Sequence, residues 1–212
     1  MAYIQRSLEK VVEQVTKEYP VVLVTGPRQV GKTTMLKKLM EGSSRGYVSL
    51  DDLNDRALAK NDPELFLQLH KPPVLIDEVQ YAPELFTYIK VYADIHQEPG
   101  AFWLTGSQVF KLMRGVQESL AGRVAVLSMT SLSQSELNGA ETEPFRVDLD
   151  DLLKRERQSK SVDTKGIFER IYQGSMPAIA SGKNSNSQIF IAAICLPISS
   201  AMSKSFRMRL ML

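Results

Sequence analysis

Eight consecutive residues, Gly26-Pro27-Arg28-Gln29-Val30-Gly31-Lys32-Thr33, set two glycines five apart and follow them with a lysine and a threonine. Glycines let the backbone turn tightly, so that successive N–H groups face inward. A helix beginning at the end of such a loop adds its positive end. Together these donors suit a triphosphate such as ATP. Lys32 then supplies a point charge to the β- and γ-phosphates, and the Thr33 hydroxyl a ligand for Mg²⁺. The nucleotide-binding set is Gly26, Pro27, Arg28, Gln29, Val30, Gly31, Lys32, Thr33 and the adjacent Thr34. A turn that merely happens to be glycine-rich has the same composition. The pattern, however, lies between an apolar run and a helix-forming run, the context that phosphate binding requires.

The second group is Val74-Leu75-Ile76-Asp77-Glu78. A carboxylate closing a strand can reach the Mg²⁺ shell, usually through a water, which is the Walker B role and falls to Asp77. The next acid, Glu78, is the natural base or positioner for an attacking water. An apolar run ending in two acids is also an ordinary solvated strand end; its spacing from the glycine loop favours the chemical reading. Leu104-Thr105-Gly106-Ser107-Gln108 closes another apolar run. Ligands of open parallel sheets lie beyond the carboxyl ends of the strands, so Ser107 or Thr105 can sense the γ-phosphate or the water. Ser107 as a plain helix N-cap is the compatible alternative. Arg123, in Ser119-Leu120-Ala121-Gly122-Arg123, is either an arginine finger for its own or a neighbour's nucleotide or a surface arginine. Arg28 is a second candidate for phosphate contact.

The elements that must position these groups can be read from the same pattern. Ile4, Leu8, Val11, Val12 and Val15 recur at helical spacing up to Pro20. Val21–Thr25, Tyr47–Leu50, Val74–Asp77, Ala101–Thr105 and Val124–Leu127 read as five strands. Helical runs over 32–40, 53–70 (interrupted at Asp62-Pro63), 83–95 and 107–119 alternate with them. Near-continuously apolar strands in this alternation imply an α/β fold, a parallel sheet covered on both faces. Residues 138–166 are polar and read as a boundary or flexible insert, and 166–180 as a helix ending near Gly174. The expected organisation is a core over 1–135, a polar insert and the start of a helical region over 136–190, and an aberrant tail over 191–212.

Composition bounds the classes. The 212 residues are 43% hydrophobic and 24% charged with a net charge of +2, which excludes a disordered chain. The lack of a long apolar run and of a signal-peptide core predicts a cytoplasmic protein with no membrane partner. One cysteine, Cys195, excludes an internal disulfide framework or a cysteine-based zinc site. His70 and His96 are isolated and read as surface residues. Residues 181–212 carry +4 and no acid, leaving −2 on the rest, so the body has no strong nucleic-acid footprint.

These motifs resemble those of prokaryotic ATPases of the AAA+ superfamily. The likeness runs through Pro20-Val-Val-Leu-Val-Thr-Gly-Pro-Arg-Gln-Val-Gly-Lys-Thr-Thr, Tyr47-Val-Ser-Leu-Asp-Asp, Val74-Leu-Ile-Asp-Glu-Val-Gln-Tyr-Ala-Pro-Glu-Leu, Leu104-Thr-Gly-Ser-Gln and Ser119-Leu-Ala-Gly-Arg. It covers about residues 2–180, in the group with an AAA-type core and a C-terminal domain of unknown function. The resemblance implies a three-layer αβα P-loop NTPase with sheet order 5-1-4-3-2 and ATP at the sheet's edge. It carries Gly26, Gly31, Lys32 and Thr33 to nucleotide, Asp77 to Mg²⁺, Glu78 to water, and Ser107 and Arg123 to supporting catalytic roles. It names no task; a client protein, a nucleic acid or a homo-oligomer is left open.

The chain departs from the group after Met176-Pro177, where those proteins continue with a tyrosine-rich helical stretch containing Glu-Arg-Asp. Here Ile191-Ala-Ala-Ile-Cys-Leu-Pro-Ile stands instead. Restoring one T before the permitted codons ATA GCA GCT ATC gives Tyr-Ser-Ser-Tyr. The shifted frame continued through Ser205 permits Leu-Ser-Ser-Tyr-Ile-Glu-Arg-Asp-Val-Lys-Glu. The expectation is an out-of-frame tail over 191–212, which sequencing of the gene tests; a genuine short variant with a basic tail is the alternative.

The leading expectation is ATP binding with Mg²⁺-dependent hydrolysis, impaired if a C-terminal lid is lost. A non-catalytic nucleotide-binding or interaction module is the rival. A small-molecule kinase is disfavoured because Asp77-Glu78 suits water attack. A GTPase rests only on Asp163-Thr164-Lys165-Gly166, with no Asn-Lys-x-Asp following.

Overall fold

A computed structural model of the chain describes residues 3–107, 119–139, 147–158, 162–182 and 190. Two compact units are delimited, one over Gln5–Ser131 and one over Met1–Ile4 with Leu132–Leu212. The helix expected over 107–119 and the tail over 191–212 lie outside the described residues, apart from Ser107 and Ser119 at the helix's ends.

In the first unit, the apolar runs form five strands: β1 (Val21–Thr25), β2 (Gly46–Ser49), β3 (Val74–Asp77), β4 (Phe102–Gly106) and β5 (Val124–Ser128). They make one sheet in the order β2-β3-β4-β1-β5, with every pairing parallel. This is the expected 5-1-4-3-2 order. The inner strands β1, β3 and β4 are buried along their whole length. Side chains alternate across a strand, so Val21 and Leu23 face one way and Val22 and Val24 the other. The first face joins Val48, Ile76, Phe102 and Leu104 in a core with Phe66, Phe86 and Ile89. Those aromatic and aliphatic residues come from α4 (Pro63–Leu69) and α5 (Leu85–His96). On the other face lie α1 (Leu8–Thr16), which buries Val12, and α2 (Lys32–Leu39), which buries Met35 and Leu36. Edge strand β5 differs from the expectation of full cover, since Val126 is exposed there.

Local chemistry explains the helix boundaries. The interruption at Asp62-Pro63 divides α3 (Leu53–Asn61) from α4: Asp62 accepts the Leu65 N–H at 2.9 Å, and Pro63 fits the first helical turn. Asp52 caps α3 through the N–H groups of Asn54 and Asp55. Trp103 donates its indole N–H to Thr16 at 3.0 Å, tying the end of α1 to β4.

The second unit holds α6 (Gln134–Leu137), α7 (Leu149–Gln158), α8 (Thr164–Gln173) and α9 (Pro177–Ala180) among its described residues. Within 138–166, read from the sequence as a boundary or flexible insert, Leu149–Gln158 is helical. Leu149, Leu152 and Leu153 stand three and four apart among charged residues, a helical stripe rather than loop composition. Asp163, suspected as part of a GTPase switch motif, accepts the Gly166 N–H at 2.9 Å and caps α8. Among the described residues no helix is long and apolar enough to cross a membrane.

Candidate functional site

The loop from Gly26 to Gly31 links the carboxyl end of β1 to the first turn of α2. Two glycines are required there for different reasons. Gly26 has φ +146°, and a Cβ on it would lie 2.0 Å from the Met129 carbonyl oxygen. Gly31 has φ 95° and starts the helix from the left-handed region. Gln29, with φ 63°, takes a positive φ without being glycine, a strain typical of ligand loops.

Lys32 is buried, and its ammonium donates to the carbonyls of Gly26 at 3.0 Å and Pro27 at 2.8 Å. Burial lowers its pKa below the usual lysine value; Glu78 and Asp77 oppose that shift, and Arg28 adds to it. The lysine therefore stands in the loop as a cation partly stripped of water, with two acids facing it.

The neighbouring strands bring the acids in. The β3–β4 register, with Ile76 beside Leu104, sets Asp77 level with Thr105. Asp77 is buried and accepts three hydroxyls: Thr33 at 2.7 Å and Thr105 on Oδ1, and Tyr47 at 3.3 Å on Oδ2. Thr105 in turn accepts the Glu78 N–H at 3.2 Å. Glu78 has φ 56° and ψ 44°, an unusual backbone for glutamate. Its Oε2 accepts the Ser107 hydroxyl at 3.2 Å and the Gln80 amide.

Arg28, Lys32, Thr33 and Glu78 line a cleft of about 390 Å³, and Asp77 is bonded to its Thr33. Gln29, Gly31 and Thr34 border it too. Gly26 and Val30 are buried beneath the loop, and Pro27 is exposed on it. Thr33 and Asp77 offer a hydroxyl and a carboxylate oxygen 2.7 Å apart, hard donors that suit Mg²⁺.

A family model described as an AAA domain matches residues 18–138, more than half of the chain. The chain belongs to this AAA domain family. Two proteins, Mb2031c of Mycobacterium bovis and Rv2008c of Mycobacterium tuberculosis, are each 38% identical to it over 115 residues. That stretch is 54% of this chain and only 26% of each mycobacterial protein. The solved Walker-type ATPase PABY2304 of Pyrococcus abyssi matches in fold, with a TM-score of 0.59 at 17% identity over 98% of this chain and 76% of that one.

The AAA domain also contains cleft residues that sequence reasoning did not single out. Asp51 and Tyr81 line it, from beyond β2 and from the turn after β3. Arg56 stacks its guanidinium 3.9 Å over the Tyr81 ring, and its side chain donates to the Leu50 carbonyl at 2.6 Å. Tyr47 and Gln80 touch the acids directly.

Arg123 stands apart. Its carbonyl accepts from Val21, at the amino end of β1, whereas the glycine loop leaves the carboxyl end. Its guanidinium pairs with Asp94 and donates to the Ala121 carbonyl at 2.9 Å. Arg123 therefore lies at the opposite end of the strands from residues 26–34 of its own chain. His70 pairs with Asp55 at 3.5 Å and packs its ring on Phe66, so it is a structural histidine of α3 and α4.

Proposed function

We propose that this AAA domain binds ATP and hydrolyses its β–γ bond with Mg²⁺. The reading rests on one observation: Lys32, Thr33 and Glu78 line a single cleft at the loop's mouth, and Asp77 joins them through the Thr33 hydroxyl. Backbone N–H groups of residues 26–33 and the amino end of α2 cradle the phosphates. Lys32 exchanges its two carbonyl partners for the β- and γ-phosphate oxygens. Thr33 and Asp77 would hold Mg²⁺, which when bound neutralises charge on the phosphates. Glu78 accepts the proton of, or orients, the water that attacks the γ-phosphorus, and Ser107 steadies its carboxylate.

Residues 1–135 form the ATPase core in this reading, with 136–190 the start of a further helical region. Arg123 serves a neighbour's nucleotide if the domain assembles with copies of itself. The client, protein or nucleic acid, belongs to the parts that the longer relatives carry outside the matched stretch.

The deciding experiment titrates ATP with and without Mg²⁺ and follows thermal stability and phosphate release together. The expected result is stabilisation that rises with nucleotide, and release that depends on Mg²⁺. In Glu78→Gln, release falls by at least about a hundredfold while ATP-induced stabilisation survives. Unchanged release in that variant returns the chain to the rival reading, a non-catalytic nucleotide-binding module.

A further inference from the structure

Glu78 is followed two residues later by a glutamine whose burial needs an explanation. Gln80 is 8% exposed, yet it lies in a one-turn 3₁₀ segment, Val79–Tyr81, directly after the strand that carries both acids. Its amide nitrogen donates to Oε2 of Glu78 and approaches Ser107 Oγ at 3.5 Å. Its amide oxygen is buried with no hydrogen-bond partner among the described residues. An amide that leaves an oxygen unpaired in the interior costs stability, and an apolar side chain of the same shape would avoid that cost. Such costs collect where a protein holds a functional group in place.

What the amide holds is specific. The left-handed backbone of Glu78 swings its carboxylate back toward its own following turn, where Gln80 waits. Both donors, Gln80 and Ser107, address the same oxygen, Oε2. That leaves Oε1 as the acceptor for a water in the cleft. Two donors on one oxygen restrict rotation about the last side-chain torsion, which is otherwise broad.

We infer that Gln80 is a positioning residue for hydrolysis: it clamps Oε2 of Glu78 so that Oε1 faces the attacking water. The inference rests on the ATPase reading above and adds to it a residue that touches neither nucleotide nor water. Ser107 alone, at 3.2 Å on the same oxygen, leaves the carboxylate free to swing about that contact.

The test compares Gln80→Met, close in shape and without the donor, with Gln80→Glu, which sets a second carboxylate against Glu78. Wild-type phosphate release, lowered at least about a hundredfold but still measurable in Glu78→Gln, is the control for the underlying reading. If it is absent, the ATPase reading fails and the clamp fails with it. Given that activity, Gln80→Met is expected to lower kcat about 10- to 100-fold, with the dissociation constant for ATP within about twofold of wild type. Its melting temperature stays level or rises, because an unpaired buried oxygen is gone. Gln80→Glu loses more of kcat than Gln80→Met. In the Glu78→Gln background, Gln80→Met costs no further turnover, since the group it positions is already lost. Wild-type kcat in Gln80→Met overturns the inference. So does a parallel loss of ATP binding or of melting temperature, which marks a merely structural residue, or a full additive loss in the double variant.

Discussion

Replacing Lys32 with alanine separates the two jobs of the loop, being folded and holding phosphate. In the free protein the ammonium already has two partners, the carbonyls of Gly26 and Pro27 at 3.0 and 2.8 Å. ATP binding is therefore an exchange of neutral acceptors for charged ones, and only the difference appears in affinity. A hydrogen bond to a charged group contributes about 1.5–3 kcal/mol, against about 1 kcal/mol for a neutral pair. Two such exchanges give a net of about 1–4 kcal/mol, or a loss of about 5- to 900-fold in affinity for Lys32→Ala. The free protein loses little, because the two carbonyl bonds offset a desolvation that already depresses the lysine's pKa. Differential scanning fluorimetry reads both quantities. At ATP set to 100 times the wild-type dissociation constant, wild type gains about 2.7 kcal/mol and the variant, if 100-fold weaker, about 0.4 kcal/mol. For a chain of this size those gains correspond to shifts of about 5–11 °C and about 1–2 °C. The free proteins melt within about 3 °C of each other. A variant that keeps the wild-type shift with ATP refutes the phosphate role, and a variant that melts far lower without ATP refutes the exchange argument.

Gly26→Ala places a methyl group 2.0 Å from the Met129 carbonyl oxygen, backbone that cannot move aside as a side chain end would, at φ +146°. The expected cost is at least about 2–3 kcal/mol, read as a lower urea midpoint, with ATP-induced stabilisation lost as well. The Asp94–Arg123 pair gives a pH signature. Its hydrogen bond to Arg123 holds the Asp94 carboxyl below the ordinary 3.8. A lowered pKa contributes stability above the unfolded value and loses it as pH falls through the folded one. Asp94→Asn therefore lowers the urea midpoint slightly at neutral pH, and the gap closes as the solution is acidified past the ordinary aspartate range. A gap of constant size from neutral to strongly acidic pH would show that the pairing carries none of it.

The sheet was readable because its signals are local. Val21–Thr25 and Val74–Asp77 are short β-branched or aliphatic runs ended by a glycine loop and by acids, and burial on both faces leaves no alternation to confuse them. β5 was read by the same rule and only half obeys it. As the edge strand next to β1 alone it needs one neighbour, and Val126 is left exposed. α7 was missed because ten residues rich in charge outweighed three leucines in the reading of composition. The spacing of Leu149, Leu152 and Leu153 held the right answer all the while.

In the site, the boundary between what was legible and what was not follows sequence distance. Lys32 and Thr33 are fixed by a motif, and Asp77 by its place at a strand end, so each was named from neighbours along the chain. Tyr47 could not be named in that way. It reaches Asp77 at 3.3 Å only because β2 pairs with β3 in the register that sets Ser49 beside Asp77, two residues further along the strand and on the same face. Gln80 is close in sequence, yet its role depends on Glu78 turning into the left-handed region, which no residue type announces for a glutamate. Arg123 is the opposite case, since the sequence alone places it at the start of the last strand. A residue that opens a strand of a parallel sheet lies at the amino edge, and the glycine loop leaves the carboxyl edge. The length of a five-residue strand thus separates the two in the same chain. Any phosphate-directed work for Arg123 requires a second copy whose loop meets that edge, and Asp94, which now holds the guanidinium, must then release it.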